Sequence, residues 1–154
     1  MVEKIIVAIF KDQGSASTAA TAIKDLKDTG ASKFKLKGGV MVQKDDQGTV
    51  SLLKEHANPL HSTKVGASVG ALIGLIAGPL GAALGAALGA GAGVIGDAVK
   101  WGLSSNFVNS VTSDMHPGTT ALIVEADESN PQEVNDIVAL GGGRLYRQPL
   151  HGGG

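Results

Sequence analysis

Hydrophobic and polar residues along this chain follow two different periods, and the change between them divides it into three parts. Glu3 to Phe10 alternates loosely and is dense in Ile and Val, the pattern of a buried strand. Lys11-Asp12-Gln13-Gly14 then turns the chain. Ser15 or Ser17 can cap a helix running to about Asp28, with Ala19, Ala22, Ile23 and Leu26 on its apolar face and Gly30 as its stop. A second strand is predicted over about Phe34 to Gln43. Asp45-Asp46-Gln47-Gly48 makes a hairpin turn into Thr49–Lys54, and Asn58-Pro59 closes this first module.

The last third repeats the theme. Trp101 to Met115 reads as the tail of a preceding helix plus a further turn or two, stopped by His116-Pro117-Gly118. Thr119 to Ala126 is a strand built on Ala121, Leu122, Ile123 and Val124. Ser129-Asn130-Pro131 starts a short helix with Pro131 in its first turn, and Val134, Ile137, Val138 and Leu140 face inward. Gly141-Gly142-Gly143 ends that helix, and Arg144 to Leu150 is a final strand. The order predicts an α+β fold, a ferredoxin-like split βαβ sandwich. Segments 3–10, 119–126 and 144–150 should pair in one sheet with the strand near 36–44, and helices 15–29 and 131–140 should cover one face. Residues 1–59 and 117–150 make up this discontinuous domain, 60–116 are an inserted glycine-rich helical hairpin, and 151–154 are a flexible tail.

The insertion has a period of four. Gly66, Gly70, Gly74 and Gly78 precede Pro79, and Gly81, Gly85, Gly89 and Gly93 follow it. On a helix such residues share one side, so each arm carries a strip without side chains along which backbones can touch. Each interior glycine costs about 1 kcal/mol relative to alanine, which only close packing offsets. Pro79 marks the turn between two antiparallel helices, and Leu72, Ile76, Leu84 and Leu88 fill the flanking grooves. Three readings stand side by side. The hairpin packs within its own subunit, or bundles with hairpins of other copies, or enters a bilayer. For the last, the arms Val65–Gly78 and Leu80–Gly96 fall short of the roughly 20 apolar residues of a spanning helix. Lys64, Asp97, Lys100 and Trp101 would be its interfacial flank.

Composition narrows the chemistry. A net charge of −1 with mixed signs gives no electrostatic footprint for nucleic acid, and 3% aromatic content gives no stacking surface for single strands. Cysteine is absent, which removes disulfides and thiolate chemistry. The opening residues lack a signal-peptide pattern, so the expected location is cytoplasmic, or the cytoplasmic membrane if the hairpin meets lipid. Gly91-Ala92-Gly93-Val94-Ile95-Gly96 spells the dinucleotide fingerprint, but no strand leads into it and its glycines belong to the packing strip. His56 and His61 lack metal-ligand spacing, His116 reads as part of a helix stop, and His151 sits in the tail. Lys33, Lys35 and Lys37 share a strand face, as a solvated face or a guarded edge requires, although an anionic surface would also use them. No grouping of serine, histidine and acid is legible. No catalytic, cofactor-binding or metal-binding residue is predicted, and the expectation is a protein that is not an enzyme.

Taken in order, Ile5–Phe10, Val40–Gly48, the Gly/Ala/Leu segment, Pro117–Leu122 and Gly142-Gly143-Arg144-Leu145 resemble the DUF1269 family. These are small bacterial and archaeal proteins of unknown function, described as membrane-associated. The resemblance implies a fold but no reaction, ligand or catalytic residue. The residues themselves favour a structural protein that homo-oligomerises through its glycine-zipper hairpin. The competing reading is a membrane-associated protein whose hairpin inserts into the bilayer. A small-ligand sensor is a third reading and rests on fold analogy alone.

Overall fold

A computed structural model describes residues 2–29, 34–47, 50–52, 72, 104–128 and 130–149. The described elements are β1 (Val2–Phe10), α1 (Gln13–Thr29), β2 (Lys35–Lys44), β3 (Val50–Leu52), α2 (Ser105–Asp114), β4 (Thr120–Glu128), α3 (Pro131–Leu140) and β5 (Arg144–Pro149). The strands form one five-stranded sheet in the order β3-β2-β4-β1-β5, with antiparallel neighbours throughout. β1 and β2 therefore run parallel with β4 between them, and β4 and β5 run parallel with β1 between them. Each helical crossover, α1 and α3, skips one strand. The protein is a mixed α+β fold in which the expected strands share one sheet.

Local chemistry moves several boundaries. α1 begins earlier than expected because Asp12, not a serine, caps it: the Ser15 amide donates to Asp12 Oδ1 at 2.7 Å. Ser15 lies in the first turn, where its own N–H needs an acceptor three residues upstream. α2 supplies the further helical turns expected before Met115 and has its own start, while the expected tail at Trp101 lies outside the described residues. Ser104 is extended there (φ −84°, ψ 151°), and its side chain accepts from the Phe107 amide. α3 opens as expected, with Asn130 as cap and Pro131 in the first turn. It closes through Gly142 at φ +71°. A register shift between Leu36 and Gly38 bulges β2 at Lys37, so Lys35 and Lys37 do not keep a simple alternation.

Both faces of the sheet are apolar. On the first, Ile6, Ala8 and Phe10 of β1, Met41 of β2 and Leu122, Val124 and Ala126 of β4 pack beneath α1 and α3. α1 meets them through Ala16, Ala19, Ala20 and Ile23, small residues that let the helix sit close, while α3 contributes Val134 and Val138. Leu140 does not face inward as expected but is 90% exposed. Two residues beyond Val138 is about 200° around a helix, so the buried stripe cannot include both. On the second face Ile5, Val7, Ile9, Val40, Val42, Ala121 and Ile123 are buried as well. Alternation with one wet face is absent here, and the strands read as continuous apolar runs because both sides are covered.

Candidate functional site

Eight of the glycines expected to drive packing (Gly66, Gly70, Gly74, Gly78, Gly81, Gly85, Gly89 and Gly93) lie outside the described residues, as do Pro79, Ile76, Leu84 and Leu88. The tail 151–154 also lies outside them. Leu72 is described, and it is helical and fully buried. What the structure gives is the frame around this segment. β3, at one edge, ends at Leu52, and Ser104 stands ahead of α2. α2 packs on β5, the other edge, where the Ser104 amide reaches Gln148 Oε1 at 3.4 Å and Arg144 pairs with Asp114 at 3.3 Å. Phe107 and Val111 of α2 and Met115 just past its end are buried. The segment 53–103 thus joins opposite edges of the sheet, which roughly four strand spacings place about 19 Å apart.

Chemistry-bearing side chains gather at two other places. At one end of the first face, Glu128 has a side chain only 1% exposed. Arg147 grips it with Nε on Oε1 at 2.6 Å and Nη2 on Oε2 at 3.1 Å, a two-pronged geometry that suits guanidinium and carboxylate. Lys4 Nζ approaches Oε1 at 3.5 Å, and Arg147 Nη2 also donates to Asn135 Oδ1 and the Pro131 carbonyl. This cluster ties α3 to β4, β1 and β5. At the opposite end of β1, a cleft of about 210 Å³ is lined by Phe10, Lys11, Asp114, His116, Thr119 and Arg144. A second groove, about 260 Å³, runs between α1 and α3 along Thr18, Ala22, Ile137 and Leu140.

Other candidates are dispersed. His116 is exposed in the cleft, whereas His56, His61 and His151 lie outside the described residues. Among the described residues no group of three His, Cys, Asp or Glu side chains is placed to hold a metal ion. Lys37 meets Asp127 at 3.7 Å, and Lys33 is outside the described residues. Hydrogen bonds from the Ser15 backbone and side chain hold the Asp12 carboxyl below its ordinary value. Thr120 Oγ1 is buried without a hydrogen-bond partner among the described residues. Sequence reasoning missed both charged clusters. Glu128 and Arg147 meet through Val2↔Glu128 and Ile6↔Arg147 pairings, a register that no local pattern encodes.

Among the described residues no helix is long and apolar enough to cross a membrane. A family model described as "Protein of unknown function (DUF1269)" matches residues 57–152, more than half of the chain. That span holds the glycine-rich segment, α2, β4, α3 and β5 and begins after β1 and β2. No curated protein and no solved structure matches the chain.

Proposed function

The chain belongs to the DUF1269 family, and we propose that it is a non-enzymatic assembly protein that homo-oligomerises through a glycine-zipper helical hairpin carried on a ferredoxin-like domain. The fold part of this reading draws on the order β2-β4-β1-β5 with two split crossovers and with α1 and α3 on one face. One observation carries the functional part. The segment holding the glycine ladder starts and ends at opposite edges of an apolar sheet face that is buried from β1 to β3. Among the described residues the first face is closed by α1 and α3 together with Phe34, and Leu72 is not part of that cluster. In this proposal the hairpin crosses the second face, seats its Leu and Ile side chains there, and turns its glycine strips toward hairpins of other copies.

The partner in this reading is a second copy of the chain, and no cofactor or nucleic acid enters it. Light scattering of the full chain should give a mass well above the 15.5 kDa monomer. Gly70→Leu and Gly85→Leu should split or scramble the assembly by separating backbones. A monodisperse wild-type monomer overturns the proposal. If most of the protein stays in a carbonate-washed membrane pellet, lipid takes the place of neighbouring copies. The alternative of a hairpin in the cytoplasmic membrane then replaces assembly in the cytoplasm.

A further inference from the structure

The geometry points to a binding site for a compact phosphate-class oxyanion at the end of β1 where two connections converge. Lys11 follows β1, Asp114 ends α2, the α2–β4 connection delivers His116 and Thr119, the α3–β5 turn delivers Gly142, and Arg144 opens β5. Among the described residues, two permanent cations and an imidazole line the cleft against one carboxylate, Asp114. At about 210 Å³ it falls below the roughly 300 Å³ of the smallest drug-sized sites, which restricts the occupant to a small ion or a phosphate monoester head.

The carboxylate is weakly held. Arg144 Nη1 lies 3.4 and 3.3 Å from the two oxygens of Asp114, beyond the roughly 2.7–2.9 Å of a strong charge-assisted bond. The Arg144 side chain remains 74% exposed, so its other donors are open to solvent. An oxyanion of higher charge density can take the guanidinium from Asp114 and bind it two-pronged. The loop opposite is already set. Gly118 adopts φ +89°, its amide donates to the Lys44 carbonyl at 2.7 Å, and Thr119 Oγ1 donates to the His116 carbonyl at 2.6 Å. Gly142 also lines the cleft and has open space where a Cβ would stand, so it gives the occupant room, while its own amide is bonded to the Ala139 carbonyl. The site does not depend on self-assembly.

Titration of the isotope-labelled full chain with inorganic phosphate, against chloride at matched ionic strength, tests this by amide NMR. Saturable shifts are expected at His116, Thr119, Gly142 and Arg144. Arg144→Gln should weaken binding about tenfold, the effect of losing one charge-assisted pair, and Lys11→Gln should weaken it less. Asp114→Asn should tighten it about threefold by removing the competing anion. Phosphate shifts that match those of chloride, or an Asp114→Asn variant that binds no tighter, overturn the assignment. Flotation with phosphatidylcholine vesicles carrying phosphatidic acid separates the sources. Flotation that inorganic phosphate competes away assigns a lipid headgroup, and saturable phosphate binding without flotation assigns a soluble ester.

Discussion

Arg147 and Arg144 stand three residues apart on β5, yet they face opposite sides of the sheet and do different work. Arg147 pairs across from Ile6 on the face that α1 and α3 close, so its side chain is 19% exposed, and its Nε and Nη2 donate to Glu128, Asn135 and the Pro131 carbonyl. Arg144 pairs across from Ile9 on the other face, where among the described residues its side chain has only the long contact with Asp114. The same side chain is structural where a helix covers it and available where the surface opens. Cover, not residue type, decides which.

Breaking the two pairs should give the largest contrast. Glu128→Ala leaves Arg147 and Lys4 uncompensated in a covered site and should lower unfolding free energy by about 3 kcal/mol in urea titration. Asp114→Ala should cost about 0.5 kcal/mol or less, as exposed pairs do. Equal losses would show that cover does not set the difference. Next in size is Gly143→Ala. A Cβ there would lie 2.6 Å from Phe10 Cε1, and that ring is 1% exposed and must shift to admit it, so about 2 kcal/mol should be lost. Gly142→Ala meets nothing within 4 Å and should cost only its left-handed backbone, about 1 kcal/mol.

A gain is expected at Thr120, on the closed face beside Phe10. Thr120→Val keeps the shape and removes a buried hydroxyl without a partner among the described residues, which should raise stability by about 1 kcal/mol in the same assay. The smallest effect lies at the start of α1. The Asp12 carboxyl is lowered in the folded state, so its contribution is complete above the ordinary carboxylate value of 3.8 and fades as pH falls through the lowered one. The stability difference between wild type and Asp12→Asn should therefore be constant near neutrality and shrink in strong acid. A difference that instead appears only in acid would contradict the capping account.

Much of the frame was legible in the residues because local rules decide it. The Ile/Val run at Ile5–Ile9, the Asn130-Pro131 start and the Gly141–Gly143 stop each encode an element within a few positions. What local rules misplace is phase. Leu140 looks inward by composition, but the stripe through Val134 and Val138 leaves it outside, and Asp12 outcompetes Ser15 for the cap through its reach to the first-turn amide. The charged clusters are long-range products. Glu128 and Arg147 are 19 residues apart, and Asp114 and Arg144 are 30 apart. Both pairs meet only because β5 returns to the edge beside β1, a fact of topology that no window of sequence contains.

The central claim is that glycine strips of different copies touch. The chain has no cysteine, so a single Gly74→Cys substitution supplies one unambiguous reporter on the ladder. Mild oxidation of the full chain, read on a non-reducing gel, should convert most of that variant to a covalent dimer. Ser110→Cys on the exposed side of α2 should stay monomeric under the same conditions. A Gly74→Cys chain that also stays monomeric would contradict the account and return the ladder to packing within a single subunit.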